Sequence, residues 1–224
     1  MTSNLRAIYA IFKKEVRSEL RTRYALNALF MFVITTLAIV LFAIGNESAS
    51  QEVLSGVLWI IIFFSTMSGL SRTFISEEER GTAATLQLLA KPVAIFVGKF
   101  LFNLLLLFGL NLLTVSLYLV LIGNFVIRSY DVFLLTMILG TIGLASTTTI
   151  LASIIAKANT KGTLYPVLSF PVLLPLLLAV INATKMSVEG TTIGETFGEF
   201  QVLISYTIVI LTASYLLFDF IWKD

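Results

Sequence analysis

Six stretches of this chain contain no Asp, Glu, Lys or Arg: Tyr24 to Asn46, Val53 to Ser71, Phe100 to Ile127, Val132 to Ala156, Gly162 to Thr184 and Phe200 to Phe218. A hydrocarbon core of about 30 Å needs about 20 helical residues at about 1.5 Å each, and every stretch is near that length or beyond it. Lipid offers no partner to backbone N–H and C=O groups, so an open sheet cannot cross it. The period-two alternation of a membrane barrel is absent from these runs. The expected fold is therefore all-α, a polytopic membrane protein with six transmembrane helices forming a single domain over residues 1–224. Composition agrees: 58% of residues are hydrophobic and 12% charged, where a soluble domain carries roughly 25% charged residues.

The cations give the orientation. Arg6, Lys13, Lys14, Arg17, Arg21 and Arg23 precede the first window, and Arg72, Arg80, Lys91 and Lys99 fill the break between the second and third. Lys157 and Lys161 follow the fourth window and Lys223 follows the sixth, leaving only Arg128 and Lys185 for the other side. This 13-to-2 split predicts cytoplasmic N- and C-termini. Ala43-Ile44-Gly45 could be read as a signal-peptide cleavage site. The long polar lead and the full-length apolar stretch argue instead for a retained span.

Several chemistries drop out. With no His and no Cys, the usual zinc ligand sets, Ser-His-Asp and Cys-His catalysis and disulfides are all excluded. No catalytic residue, metal ligand or directly bound cofactor is expected. Gly98-Lys99 lacks the upstream Gly and downstream Ser/Thr of a phosphate-binding loop, so the chain is not expected to hydrolyse nucleotide itself. None of the six windows holds an ionisable Asp, Glu, Lys, Arg or His. That disfavours a self-sufficient proton- or sodium-coupled transporter, and energy for uphill movement would come from a partner. A net charge of +2 does not suggest nucleic acid; membrane lipid is the expected surroundings.

The polar segments carry the remaining information. Over residues 1–23, Leu5, Ile8, Tyr9, Phe12, Val16 and Leu20 recur at steps of three and four, which predicts an amphipathic interfacial helix. It either anchors the topology among anionic headgroups or packs beside a partner. Between the second and third windows, Ser76 to Lys91 reads as a short helix of about three turns. Ser76 and Glu79 form a capping box, Glu77 and Glu78 lie in the first turn, and Pro92 ends the helix. Its leucines point to a contact rather than a solvated connector, with Leu86 and Leu89 as anchors on one face. Gly140 and Gly143, with their hydroxyl-rich neighbours, suit close helix packing; a polar substrate path is the alternative. Pro166, Pro171 and Pro175 predict a kinked or broken fifth span, either a hinge or only a shape. Residues 185–199 read as a small external element on the periplasmic side.

Taken together, these features resemble the membrane subunit of an ATP-binding-cassette exporter of the ABC-2 kind, a half-transporter with six spans. More narrowly, the chain resembles the CcmB family, the heme exporter B proteins of cytochrome c maturation. The resemblance rests on Gly56-Val57-Leu58-Trp59-Ile60, Gly69 through Gly81, Leu88-Leu89-Ala90-Lys91-Pro92, Gly98-Lys99, Leu139 through Gly143, and the proline run Pro166 to Leu178. It covers nearly the whole chain. In that family the loop reads Phe, two residues, an acidic residue, then Gly; Phe74, Glu77 and Gly81 occupy those places, with Glu where Asp is common. The resemblance implies a bacterial inner-membrane homodimer bound to two copies of an ABC ATPase subunit. The contact would be made by Phe74, Glu77, Glu78, Glu79, Arg80, Gly81, Leu86 and Leu89. ATP would be bound by that partner, and heme would be a cargo of the complex. Further implied partners are a heme-handling membrane protein and a periplasmic heme chaperone. A lipid, polysaccharide or drug permease of the same class is one rival reading, and a non-transporting scaffold or channel is another.

Overall fold

The computed structural model describes residues 2–45, 49–70, 72–157 and 164–223, and its regular structure is entirely helical. Asn46, Ser71 and Gly162, three window ends, and the cation Lys161 lie outside the described residues. The elements are α1 (Thr2–Thr22), α2 (Tyr24–Ile44), α3 (Gln51–Leu70), α4 (Ile75–Glu79), α5 (Ala83–Leu89), α6 (Pro92–Leu121), α7 (Tyr130–Ala156), α8 (Leu164–Glu189) and α9 (Phe197–Lys223). α2, α3, α6, α7, α8 and α9 are long and apolar enough to cross a membrane, one for each charge-free window.

α7 is the most enclosed of the six. It packs against α6, α8 and α9, while α2 lies on α3 at the edge of the bundle. Its small residues make this possible. A Cβ on Gly140 would lie 2.5 Å from the Trp59 ring and 2.9 Å from Val180, and one on Gly143 would run into Leu176. The hydroxyls of α7 mostly satisfy themselves: Thr141 donates to the Met137 carbonyl, Thr147 to Gly143, Thr148 to Leu144 and Thr149 to Ala145. Across the seam, Asn103 of α6 donates to Thr149 at 2.9 Å and Asn111 to Thr141 at 2.5 Å. Thr147 also shares a hydrogen bond of 2.9 Å with Tyr206 of α9, so the stripe spends its polar groups on its own helix and on two packed neighbours, as buried polar groups in lipid do.

Several expectations need correction. The single helix over 76–91 is two, because Gly81 takes a left-handed φ of +66° between α4 and α5. No side chain caps α4: Phe74 stands at its N-cap, and Ser76 lies one residue inside the helix. The Glu that matters most, Glu77, turns its carboxylate into the protein rather than towards the backbone at the helix start. Pro92 does not end a helix but opens α6, where its missing N–H costs nothing. α6 therefore begins eight residues before its charge-free window and carries Lys99 inside the helix. The stretch 185–199 is no separate element. α8 continues to Glu189, Gly190 turns at a φ of +90°, and α9 starts at Phe197. α8 itself runs unbroken, with Pro166 in its first turn and Pro171 and Pro175 inside it.

Candidate functional site

Gly98 determines what α1 can reach. A Cβ there would fall 2.8 Å from Ile11 Cγ2 and 3.1 Å from the Ile8 carbonyl oxygen, so α1 lies against α6 at a distance only glycine permits. That approach brings Glu15 beside Lys99. The Lys99 ammonium is fully buried and donates to Glu15 Oε1 at 2.7 Å, to the Thr73 carbonyl at 2.7 Å and to Glu77 Oε1 at 3.3 Å. Lys14 also pairs with Glu77 and lies 3.2 Å from Glu15. Thr82, just past the bend at Gly81, donates to Glu77 Oε2 at 2.5 Å. Two ammonium groups thus face two carboxylates, joining α1, α4 and α6. Burial opposes the charge on Lys14, but the neighbouring carboxylates of Glu15 and Glu77 outweigh it and hold its pKa above the ordinary lysine value. A buried ion cluster persists only when every charge is paired and hydrogen-bonded, which is the case here.

An aromatic layer closes the other side of the lysine. The Phe74 ring centroid lies 5.0 Å from the Lys99 ammonium. Phe74 packs against Phe218 and Trp222 of α9, with centroids 5.7 and 5.6 Å away, and Phe96 completes the group 5.2 Å from Phe218. The remaining acids of the loop are engaged as well. Glu78 meets Lys157 at 3.5 Å, and Glu79 pairs with Arg72 at 2.5 Å. The Gln87 amide donates to the Trp222 carbonyl and ties α5 to α9.

The residues expected to meet a partner are therefore sorted by the fold. Phe74 and Glu77 are buried within the chain and hold the loop in place. Glu79, Arg80 and Gly81 are exposed, and Glu78 is partly so. Leu86 packs against the core, whereas Leu88 and Leu89 are 88% and 77% exposed. The outward apolar pair is therefore Leu88–Leu89, while Leu86, three residues before Leu89 in the same short helix, faces the core. Between α1 and the loop lies a cavity of about 580 Å³, lined in part by Glu19, Arg72, Glu79, Arg80 and Thr85. Sequence reasoning missed Lys14, Glu15 and Lys99. The usable signal was a glycine preceding a lysine, seven residues beyond the proline that starts a helix.

Gly98→Val is expected to push α1 off α6 and lower stability by about 1–3 kcal/mol, as overpacking does. The same change at Gly109, where a Cβ would meet nothing within 4 Å, is the control. Thermal unfolding in mild detergent checks it, and equal midpoints for the two variants would contradict the close contact.

Among known proteins, a family model described as "CcmB protein" matches residues 6–219. The chain is 24% identical over 207 residues to a protein named heme exporter protein B from Bradyrhizobium diazoefficiens, covering 92% of each. It is 28% identical over 170 residues to heme exporter protein B from Pseudomonas aeruginosa, covering 73% of this chain and 74% of that one.

Proposed function

The chain belongs to the CcmB family, and from that membership we propose that it is the membrane subunit of an ATP-driven complex in cytochrome c biogenesis. In this reading a separate ATPase subunit, present in two copies, docks on the loop between α3 and α6 of a permease homodimer. Hydrolysis is then coupled to heme export or to release of a heme-loaded periplasmic chaperone. The observation that carries the reading is the construction of the loop: an exposed Leu88–Leu89 pair mounted on a base clamped to α1, α6 and α9 by buried ion pairs and aromatic contacts. A surface of this kind transmits force because its backing is rigid.

The residues favour coupling over ligation of heme iron. Without His or Cys, only Met or Tyr remain as axial ligands. Three of the seven tyrosines spend their hydroxyls on backbone carbonyls: Tyr118 on Leu54, Tyr165 on Thr148 and Tyr206 on Val172.

The test is cytochrome c maturation in cells. A hydrolysis-dead ATPase partner should abolish it, whereas collapsing the proton gradient with ATP maintained should leave it largely intact. Maturation that tracks the gradient instead would refute the coupling. Topology is checked on the same cells. The cation split argues for a cytoplasmic loop, so a cysteine at Thr85 should be shielded from an impermeant thiol reagent and one at Thr192 should react. Labelling at Thr85 from outside would invert the arrangement.

A further inference from the structure

α1 has two surfaces that the ion cluster leaves unused. One is a cleft of about 320 Å³ lined by Lys14, Arg17, Ser18, Arg21, Thr22 and Arg80: four cations, two hydroxyls and no carboxylate. Lys14 is shared with Glu15 and Glu77, but among the described residues Arg17, Arg21 and Arg80 enter no ion pair. The other is an apolar groove of about 540 Å³ between α1, α2 and α6, lined by Val16, Leu20, Leu26, Phe30, Leu105 and Gly109 among others. Glu19 also borders it, and its carboxylate accepts the Leu26 N–H at 2.9 Å. Successive helical residues are about 100° apart, so Arg17 and Arg21 stand one step around α1 from Val16 and Leu20. Cleft and groove are therefore neighbours around one edge of the same helix.

We propose that these two surfaces together bind one anionic phospholipid, its phosphate in the cationic cleft and an acyl chain in the groove. The charge complementarity is one-sided: a zwitterionic headgroup brings a cation into a cleft that already holds four. Free phosphate would use the cleft and leave the groove empty. Arg80 comes from the bend between α4 and α5, so a bound headgroup joins α1 to the loop from the surface, opposite the buried cluster that joins them from within. Membrane composition then bears on how firmly the loop is held.

The experiment uses the full chain in nanodiscs of equal parts phosphatidylglycerol and phosphatidylcholine, released for native mass spectrometry. Wild type should retain phosphatidylglycerol about thirtyfold over phosphatidylcholine, about 1 kcal/mol for each of two cations. Arg17→Gln with Arg21→Gln should bring the ratio near one with an unchanged thermal midpoint, since both arginines are exposed. Gly109→Leu, at a site where a Cβ meets nothing, should fill the groove and reduce retention of either lipid. Millimolar inorganic phosphate should leave the lipid in place. Equal retention of the two lipids by wild type, an unchanged ratio in the arginine variant, indifference to Gly109→Leu, or displacement by phosphate would each overturn the proposal.

Discussion

Replacing Lys99 with methionine is expected to cost about 3–5 kcal/mol, the largest single-residue effect in the molecule. The side chain keeps nearly the same length, so packing changes little. The difference is that Glu15 and Glu77, both largely enclosed, lose the ammonium between them and have only Lys14 to share. Unfolding in mild detergent reads the loss directly, and faster trypsin cleavage after Arg72 and Arg80 would show where it falls. Adding Glu15→Gln and Glu77→Gln to Lys99→Met should restore much of the midpoint, since no buried charge then lacks a partner. A midpoint for Lys99→Met alone within experimental error of wild type would mean that the lysine is not enclosed by those carboxylates.

The second expectation leaves stability alone and removes the partner. Leu88→Asp with Leu89→Asp should shift unfolding by no more than about 0.5 kcal/mol, as surface substitutions do. Both side chains are mostly solvent-exposed within this chain. Apolar anchors at the centre of an interface contribute about 2 kcal/mol or more each, so the pair should weaken retention of the ATPase subunit about a thousandfold. Leu86→Asp is the informative contrast. It points a charge at the core and should destabilise the chain itself. If the double variant still co-purifies with the ATPase and supports maturation, the docking surface is elsewhere.

How far the fold could be read in advance differs sharply from one element to the next. The spans were legible because the hydrocarbon imposes a length and a charge prohibition that no packing detail can override, and each window became one long helix. The loop was only half legible. Its caps and acids argued for a helix, but a single φ of +66° at Gly81 divides the segment and turns α5 away from the line of α4. A glycine's sign of φ is a tertiary outcome, and Gly81 meets no side chain that would have announced it. The least legible part was the charge cluster. Glu15, Glu77 and Lys99 are far apart in sequence, and each alone reads as an ordinary solvated charge beside a membrane. Only the approach of α1 to Gly98 brings them together, and no periodicity encodes that contact.

The aromatic layer over Lys99 bears on how the protein is made. Phe74 and Phe96 emerge early in synthesis, but Phe218 and Trp222 belong to the last of the six spans. Glu15 and Glu77 both precede Lys99 along the chain, so the lysine leaves the ribosome with its counter-charges already waiting. Phe74 is there too, but the outer half of the aromatic layer does not exist until α9 has been inserted, and neither does the Gln87 bond that steadies α5. A nascent or truncated chain therefore displays the leucine pair on a segment held by the ion cluster but without its tie to α9. In the proposed complex, capture of the ATPase would then depend on completion of the sixth span, which would make assembly itself a check that translation has finished.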